Sequence, residues 1–386
     1  MAADPGKLSQ VLTDVHLARG LPNAHYMDSD VFNIERDALL FEQWAGIGFT
    51  SDVPEPGDAK PVTFLGVPLL LVRDHDGDIR VFQNTCRHRG MILVQEPTRI
   101  RKVVRCPYHS WCYALDGSLQ ATPHVGGAGC NVHDAIDRDT LGLHVISSAQ
   151  WLGVVFVNLS GKAPPFEQYN AALGERWQEF DRLELAGDPT NTFTLQVNTN
   201  WKLAVENYCE SYHLPWIHPG LNSYSKLQDH YNIQQQGAFS GQGTYVYRQL
   251  TGADGQVFSD LGGLSDRWNT AAEYIALYPN VLLGVHRDHT IAIVLEPQGV
   301  GKTVEHVGFF YTPECANDPD FAQLRKKNRD LWKTVFEEDI GVVEGMQAGR
   351  YGPLFDGGRF SPAMDTATHS FHHWVASQLV ANCASS

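Results

Sequence analysis

Two cysteine–histidine pairs lie close together in the first third of this chain. The first pair is Cys86 and His88, and after 17 intervening residues the second pair is Cys106 and His109. Two thiolates on one iron and two imidazoles on the other complete a 2Fe-2S cluster of raised potential. Tetrahedral zinc accepts the same ligands, but ordinary zinc modules pair C-x2-4-C with H-x3-5-H. Because each loop supplies one cysteine and one histidine, the spacing predicts a 2Fe-2S cluster held between two loops.

The charge balance bears on the class of partner. The chain has 29 Lys and Arg against 44 Asp and Glu, a formal charge of −15, and no basic block. We therefore expect neither nucleic acid nor a membrane as a partner. No apolar run reaches the roughly 20 residues of a spanning helix, and the opening MAADPGKLSQ lacks secretory features, so a cytoplasmic protein is expected. The odd number of cysteines, seven, argues against a disulfide framework.

The pattern of apolar and turn-forming residues changes along the chain, which predicts two domains. Apolar residues from Ser29 to Trp44 have helical spacing and predict an opening helix. From about 45 to 159, short strand-like runs alternate with turn signals, which is typical of a small all-β module. Beyond residue 165, helical and strand-like patterns alternate, and a strong helix is predicted from about Asp318 to Gly349. The second domain is therefore predicted to be α+β.

The motifs CRHRG and CPYHSWCY resemble those of the Rieske family, and similarity extends over nearly the whole chain. Respiratory Rieske proteins usually add a second cysteine in each loop, whereas Gly90 and Met91 follow the first pair here. The chain therefore resembles the oxygenase branch. This implies a small all-β Rieske domain at 45–160, which binds the cluster and is inserted into a larger α+β catalytic domain of residues 1–44 and 161–386. The resemblance also implies a helix-grip-like antiparallel sheet with helices in the catalytic domain, and a mononuclear non-haem iron.

A second pair of histidines follows a predicted helix that begins near Asn200. Helical residues turn by about 100° each, so Glu210 and His213 would share one face. Pro215 is placed to end this helix, after which the chain can bring His218 back to His213. Two histidines and one carboxylate form the ligand set of non-haem ferrous oxygenases, which leaves open positions for dioxygen.

The third ligand is expected on the acidic helix at 336–344. The resemblance places the family's ligand aspartate at Asp339, with Glu338 as the alternative, while a solvated acidic face is the other interpretation. In the family, the carboxylate three residues before the first iron histidine bridges to a cluster histidine of a neighbouring subunit. Glu210 matches that position, which implies electron transfer across an interface and a head-to-tail ring, most simply a homotrimer.

Glu210 also bears on the substrate. Most ring-dihydroxylating relatives carry Asp there, and Glu resembles the branch that acts on carnitine, choline and glycine betaine. The resemblance implies a terminal oxygenase that uses dioxygen, with NAD(P)H electrons from a flavin/iron-sulfur reductase, to hydroxylate or N-demethylate a small quaternary ammonium compound. Aromatic faces should surround such a cation, and Tyr212, Trp216 and Tyr224 are candidates, although aromatic residues more often fill a core.

Three other functions remain open at this stage. A ring-hydroxylating dioxygenase acting on an aromatic acid would use the same two metal sites. A non-catalytic Rieske electron carrier would need only the first domain, and would not need His213 and His218. A zinc-stabilised binding module would be colourless, whereas a Rieske cluster is red-brown.

Overall fold

The computed structural model describes residues 5–234 and 237–385, so residues 1–4 of the predicted 1–44 segment lie outside the described part. This part mixes helices with four β-sheets, as the α+β prediction requires, and the fold class is confirmed. Within the described ranges, no helix combines the length and the hydropathy that a bilayer-crossing segment needs.

Short helices form the N-terminal segment. They are α1 Pro5–Val11, α2 Ala24–Met27 and α3 Ser29–Glu35, followed by a π-helical segment Arg36–Phe41. The carboxylate of Asp28 accepts hydrogen bonds from the backbone N–H groups of Asp30 and Val31, which caps α3. The predicted opening helix is thus present, but it becomes π-helical after Glu35 and ends before Trp44. In the π-helical segment, three successive apolar side chains, at 38–40, are buried.

Residues 45–158 form three small antiparallel sheets. Their strands are β1 Ala45–Phe49, β2 Asp58–Phe64, β3 Val67–Arg73, β4 Ile79–Gln83, β5 Thr98–Arg99, β6 Val104–Arg105, β7 Cys112–Tyr113, β8 Leu119–Ala121, β9 Ser147–Trp151 and β10 Val154–Asn158. The sheet orders are β1-β10-β9, β4-β3-β2-β5 and β6-β7-β8. Leu70, Val72, Phe82 and Tyr113 belong to a separate small core between these strands. The all-β character predicted for this region is therefore present.

The large sheet is antiparallel and lies in the second half of the chain. Its strands are β11 Ala186–Gly187, β12 Phe193–Val197, β13 His230–Gln234, β14 Phe239–Thr244, β15 Ala272–Leu277, β16 Val281–Val285, β17 Thr290–Pro297 and β18 Thr303–Tyr311. The order is β11-β18-β17-β16-β15-β14-β13, and β12 also pairs with β18. Along β17, Ile291 and Ile293 enter one core while Ala292 and Val294 enter another, because successive strand residues face opposite sides.

Helices cover both faces of the large sheet. The helices are α4 Phe166–Tyr169, α5 Ala171–Arg176, α6 Gln178–Asp181, α7 Trp201–Tyr208, α8 Leu214–Ile217, α9 Pro219–Asn222, α10 Pro313–Asn317, α11 Ala322–Gly349 and α12 Thr366–Ser385. Short 3-10 segments lie at Thr50–Asp52, Arg138–Thr140, Pro189–Asn191, Leu227–Asp229, Ala253–Gly255, Asp266–Asn269 and Pro319–Phe321. The helix predicted from Asp318 is confirmed. It consists of the 3-10 segment Pro319–Phe321 followed directly by α11. Phe166 and Trp177 from α4–α6 share a core with Ala292, whereas Trp332 of α11 shares a core with Ile291.

The small β region contacts the large sheet through β1. The N–H of Gly46 donates to Asn280 Oδ1 at 2.9 Å, and Asn280 Nδ2 donates to the carbonyl of Gly46 at 2.9 Å. A Cβ atom on Gly46 would lie 2.3 Å from Val281 Cγ2, so the close approach requires glycine. This contact fixes β1 against the start of β16.

A buried charge network joins the N-terminal helices, α7 and α12. Lys202 Nζ lies 2.5 Å from Glu35 Oε2 with both side chains fully buried, and His25 Nδ1 lies 2.8 Å from Glu35 Oε1. Burial would raise the pKa of the Glu35 carboxyl, but Lys202 and His25 hold it below its ordinary value. Glu206, about one turn later on α7, lies 3.2 Å from His372 Nε2. The network therefore fixes the helix that leads to the candidate metal site.

Candidate metal centres

His213, His218 and Asp339 converge on one point, with a ligand atom of each within 4.8 Å of the others. His218 Nε2 lies 3.1 Å from Asp339 Oδ1, and His213 Nε2 lies 3.7 Å from the same oxygen. Neighbouring ligands of one ion, at bonds of about 2.1 Å, are separated by roughly 3 Å. The three residues thus fit the facial arrangement of two histidines and one carboxylate that suits ferrous iron.

Two further carboxylates orient the imidazole rings. Glu210 Oε1 lies 2.7 Å from His213 Nδ1, and Glu338 Oε2 lies 2.8 Å from His218 Nδ1. Each ring therefore presents Nε2 to the shared point, as metal-bound histidines with carboxylate partners do. Burial would lower the pKa of His218, but Asp339 and Glu338 raise it. Glu338, the alternative third ligand, thus faces the outer nitrogen of His218 and not the converging group.

The local chain path differs from the predicted one. Helix α7 ends at Tyr208, before Glu210, and the Glu210 carboxylate accepts hydrogen bonds from the backbone N–H groups of Tyr212 and His213. This is the pattern of a residue that begins a new turn. Pro215 does not end a helix but lies in the first turn of α8, where its missing N–H is not needed. The break therefore comes earlier than predicted, yet His213 and His218 still meet.

Asn207 was not anticipated from the sequence. Its Nδ2 donates to Asp339 Oδ1 at 3.4 Å, so it contacts the carboxylate of the converging group. Its position near the end of α7, three residues before Glu210, could have indicated a place beside the site. An asparagine in a helix has many other roles, however, so the sequence alone did not single it out.

The two cysteine–histidine loops have matching backbone geometry. The N–H of Cys86 donates to Met91 O at 2.8 Å, and the N–H of Cys106 donates to Trp111 O at 2.8 Å. In each loop, the residue four positions after the cysteine donates back to the cysteine carbonyl and has positive φ, which is 71° at Gly90 and 60° at Ser110. The two loops thus present their cysteine and histidine side chains in equivalent ways.

The four side chains suit a mixed 2Fe-2S cluster. Both cysteines are buried, while His88 is exposed and its Nδ1 lies 3.1 Å from His109 Nδ1. Burial raises the pKa of the Cys86 thiol, while hydrogen bonds from the Tyr113 hydroxyl, at 3.2 Å, and the His88 N–H act in the opposite direction. This arrangement places the thiols inside and the imidazoles outside, as a cluster that exchanges electrons through its histidines requires.

The hydrogen bonds of Glu210 stay within the second domain. Its carboxylate faces His213, and its backbone carbonyl accepts from Gln242 Nε2 at 3.1 Å. Across residues 5–234 and 237–385, no hydrogen bond or ion pair links Glu210 to His88 or His109. Any bridge from Glu210 to a cluster histidine must therefore involve a second copy of the chain or a rearrangement.

A cavity of about 570 Å³ opens beside the converging group. His213, His218 and Asp339 line one part of it. Its other walls include the aromatic residues Tyr208, Tyr224, Tyr247, Tyr274, Trp332 and Phe336. The lining residues come from the end of α7, from α8 and α9, from β14, β15 and the following loops, and from α11. The cavity is thus a chamber with six aromatic side chains in its wall, next to the candidate iron site.

Only one of the three predicted substrate residues lies in this cavity, namely Tyr224. Tyr212 and Trp216 do not line it and instead contact each other at the surface, where Trp216 is 69% exposed. Their placement was predicted from proximity in sequence to the histidines. Proximity in sequence does not place two side chains on the same side of the chain, and Tyr212 and Trp216 point away from the site that His213 and His218 share.

Comparisons with known proteins agree with this fold. Residues 43–134 match the Rieske [2Fe-2S] domain, and residues 180–381 match the ring hydroxylating alpha subunit (catalytic domain). The carnitine monooxygenase oxygenase subunit of Acinetobacter baumannii is 24% identical over 85% of this chain and 84% of its own. The glycine betaine monooxygenase oxygenase subunit of Pseudomonas aeruginosa is 24% identical over 94% of this chain and 89% of its own.

Solved structures show the same fold. The quaternary ammonium Rieske monooxygenase CntA in complex with L-carnitine is 22% identical, with a TM-score of 0.77 over 98% of this chain and 99% of that chain. Naphthalene 1,2-dioxygenase from Rhodococcus sp. is 18% identical, also with a TM-score of 0.77, over 97% of this chain and 98% of that chain. The fold therefore serves both monooxygenases and dioxygenases.

The fold, the cluster loops and the converging histidines and carboxylate define a Rieske non-haem iron oxygenase. The chain belongs to the ring-hydroxylating alpha-subunit family, since the catalytic-domain match covers just over half of it. It is an oxidoreductase that depends on a 2Fe-2S cluster, a mononuclear iron, dioxygen and electrons from a reductase.

Proposed function

We propose that this protein inserts one oxygen atom from dioxygen into a C–H bond of a quaternary ammonium compound. The observation that carries the proposal is the set of aromatic side chains that line the cavity beside His213, His218 and Asp339. Aromatic faces attract alkylated ammonium groups through the negative potential of their rings. The relatives named for carnitine, choline and glycine betaine, and Glu210 at the bridging position, give independent support.

We assign the cluster to Cys86, His88, Cys106 and His109, and the iron to a second set of residues, His213, His218 and Asp339. The support is the equivalent backbone of the two cluster loops and the convergence of the second set. We assign Asp339, and not Glu338, as the third iron ligand, because Glu338 contacts the outer nitrogen of His218.

The chain's own groups prepare the reaction in several ways. When bound, the iron supplies dioxygen activation at positions that the three protein ligands leave open. Glu210 and Glu338 hold the Nδ1–H groups of the two histidines and so fix the tautomer in which Nε2 is free to coordinate. Tyr208, Tyr224 and Trp332 line the wall that would contact the substrate and exclude water from it.

We further propose that the active species is a head-to-tail homotrimer in which Glu210 of one subunit meets a cluster histidine of the next. The absence of a described link between Glu210 and its own His88 or His109 supports this, as does the exposure of His88. The NAD(P)H electrons would reach the cluster through a separate flavin/iron-sulfur reductase. A monomer is expected to be inactive.

The decisive experiment measures oxygen uptake and products with the iron-loaded protein, a generic reductase and NADH. The panel contains carnitine, γ-butyrobetaine, glycine betaine, choline, benzoate and salicylate, and Asp339→Ala serves as the control that keeps the cluster. We expect uptake coupled to an alcohol, or to formaldehyde if an N-methyl group is oxidised, from at least one ammonium compound. Coupled uptake only with an aromatic acid, giving a diol, would contradict the proposal and establish the dioxygenase alternative.

A further inference from the structure

The loop that joins β16 to β17 is buried although all of its residues are polar. His286, Asp288 and His289 are at most 1% exposed, whereas Arg287 is partly exposed and pairs with Asp260. Burying a polar group costs free energy unless the group finds a hydrogen-bond partner. Among the described residues, however, His286 Nδ1, Asp288 Oδ2 and His289 Nε2 have no such partner. The loop therefore has a capacity for hydrogen bonding that the contacts within the protein do not use.

Of these three buried residues, only His289 lines the cavity beside the candidate iron site. Its ring stacks on His286, with the ring centroids 4.4 Å apart, and on Tyr311, with the centroids 5.9 Å apart. The stacking fixes the plane of the imidazole, so that a ligand meets it along its edge. Nε2 is therefore the polar atom of this loop that a molecule in the cavity can satisfy.

The contacts of Tyr311 place His289 along the cavity. The Tyr311 hydroxyl accepts a hydrogen bond from Asn328 Nδ2 at 3.1 Å. Asn328 also lines the cavity and lies 11 positions before Asp339 on α11, which corresponds to about 16 Å of helix. His289 therefore lies at the end of the cavity that is remote from the iron ligands, here called the remote end.

The hydrogen bonds of Asp288 determine which nitrogen of His289 carries the proton. Asp288 Oδ1 lies 2.8 Å from His289 Nδ1 and accepts a hydrogen bond from the Tyr247 hydroxyl at 2.8 Å. A carboxylate can only accept, so Nδ1 carries the proton of the neutral ring and Nε2 presents a lone pair. Nε2 is therefore a buried acceptor, and a ligand can satisfy it only with a donor.

Two donors in the same part of the cavity wall are already engaged within the protein. Tyr247 and Asn328 both line the cavity. The Tyr247 hydroxyl donates to Asp288, and the Asn328 amide donates to Tyr311. A hydroxyl group that enters the remote end therefore gains more as a donor to His289 than as an acceptor from either of these groups.

We propose that His289 Nε2 accepts a hydrogen bond from a hydroxyl group of the substrate at the remote end. This deepens the proposed function, on which it rests, because it selects ammonium compounds with a hydroxyl group over those with an ether in its place. The alcohol donates its proton to Nε2, whereas the ether cannot donate and leaves the buried lone pair unpaired. His289 is thus a residue that determines specificity, and Asp288 is a positioning residue that holds the tautomer.

The test compares matched alcohols and methyl ethers by calorimetry, with the iron-loaded protein under anaerobic conditions. The probes are ω-hydroxyalkyl trimethylammonium ions with chains of two, four and six carbons, each beside its methyl ether. Three lengths are used because the ammonium group must reach the iron site while the hydroxyl reaches His289. The measurements are made at about pH 8.5, where an imidazole of ordinary pKa is neutral. We expect at least one alcohol to bind the wild-type protein more tightly than its ether, by roughly 5–100-fold, as is usual when a buried acceptor is left unpaired.

Substitutions of His289 separate its role as an acceptor from its role in packing. His289→Phe keeps an aromatic ring but removes the acceptor, so it should lower the affinity for the alcohol to that for the ether and leave the ether unchanged. A residue that only fills space would lose affinity for both. His289→Gln retains an acceptor oxygen and should keep part of the preference. Arg287→Gln is the matched control, since Arg287 lies in the same loop but does not line the cavity, and the alcohol-to-ether ratio should stay unchanged.

Equal affinity for alcohol and ether at every chain length would overturn the inference and leave the proposed function standing. A preference that persists in His289→Phe would also overturn it. The pair 4-hydroxybenzoate and 4-methoxybenzoate distinguishes the inference from the proposed function. A preference for the phenol alone, lost in His289→Phe, would support the acceptor at His289 while refuting the ammonium substrate class.

Discussion

Glu338 and Asp339 are adjacent carboxylates that face opposite sides of one imidazole ring. Glu338 Oε2 lies against Nδ1 of His218, and Asp339 Oδ1 lies against Nε2. The sequence placed a carboxylate here but left both positions open, because two neighbours on a helix differ by about 100° and the rotation of the helix cannot be read from its composition. The three-dimensional arrangement separates a coordinating position from an orienting one.

Replacing these two carboxylates should have different effects on metal content. We expect Asp339→Ala to abolish binding of the mononuclear iron, because it removes a coordinating oxygen. Glu338→Gln should weaken that binding by about 10–100-fold, as is usual for a group that only orients a ligand. Iron analysis of the purified variants, with the cluster absorbance as an internal control, measures both effects. Retention of the mononuclear iron by Asp339→Ala and its loss from Glu338→Gln would reverse the assignment.

The Tyr113 hydroxyl should tune the cluster. It lies 3.2 Å from Cys86 Sγ, and a hydrogen bond to a ligand sulfur stabilises the reduced, more negative form. One such bond contributes about 1 kcal/mol net, which equals roughly 40 mV for a one-electron couple. Tyr113→Phe should therefore lower the reduction potential by about that amount in a redox titration. Tyr108→Phe, at an exposed neighbour of His109, is the control and should leave the potential close to the wild-type value.

At the scale of elements, the start of helix α7 could be predicted from its sequence, but its end and the burial of its charged side chains could not. Its start at Trp201 agrees with the helix predicted from near Asn200. The Asn200 side chain caps this helix by accepting a hydrogen bond from the N–H of Lys202. Its end was predicted too late, since Pro215 is the visible helix breaker and the capping role of the Glu210 carboxylate is not visible in the sequence. Nor was the burial of Lys202 and Glu206 foreseen, because their partners lie in distant segments of the chain.

The ion pair between Lys202 and Glu35 should be a strong determinant of stability. Lys202→Met leaves the Glu35 carboxylate buried without its principal partner, so the free energy of unfolding should fall by about 3–5 kcal/mol. The double variant Lys202→Met/Glu35→Gln should recover much of this loss, because no uncompensated charge remains. Urea unfolding monitored by circular dichroism measures both changes.

The exposed pair Lys326–Asp330 provides the control for that experiment. Lys326→Met should change the free energy of unfolding by no more than about 0.5 kcal/mol, because surface ion pairs contribute little. A similar loss in Lys326→Met and Lys202→Met would show that burial of the charge is not the cause.

At the scale of the whole molecule, the sequence was informative about the separation into two regions. The metal motifs lie far apart in the chain, and the strand-rich texture between 45 and 159 contrasts with the remainder. The boundary at residue 160 stays a prediction, since the Rieske match ends at 134 and β9 and β10 continue to Asn158. The cavity could not be predicted, because its walls come from α9, β14, β15, α11 and several loops that only the folded chain brings together.

Complementation between inactive variants tests the proposed exchange of electrons between subunits. Cys86→Ser should lose the cluster, and Asp339→Ala should lose the mononuclear iron, so each homomeric protein is expected to be inactive. Co-expressed chains should assemble into rings in which an intact cluster of one subunit faces an intact iron site of the next. Random mixing in equal amounts then gives about one quarter of the wild-type activity per subunit. No recovery in mixed rings verified by mass spectrometry would place both steps within one subunit.

The cavity beside the candidate iron site runs along α11 from Asp339 to Asn328, about 16 Å of helix, and this length has a consequence for regiochemistry. For a substrate that lies end to end along this length, the carbon that reaches the iron is determined by its distance from the remote end of the cavity and only secondarily by its intrinsic reactivity. The length of the cavity then determines which carbon is oxidised. Lengthening the substrate by one methylene would shift oxidation to the next carbon along, and the positions of the new hydroxyl groups in a homologous series would measure the distance from the iron to the remote end of the cavity.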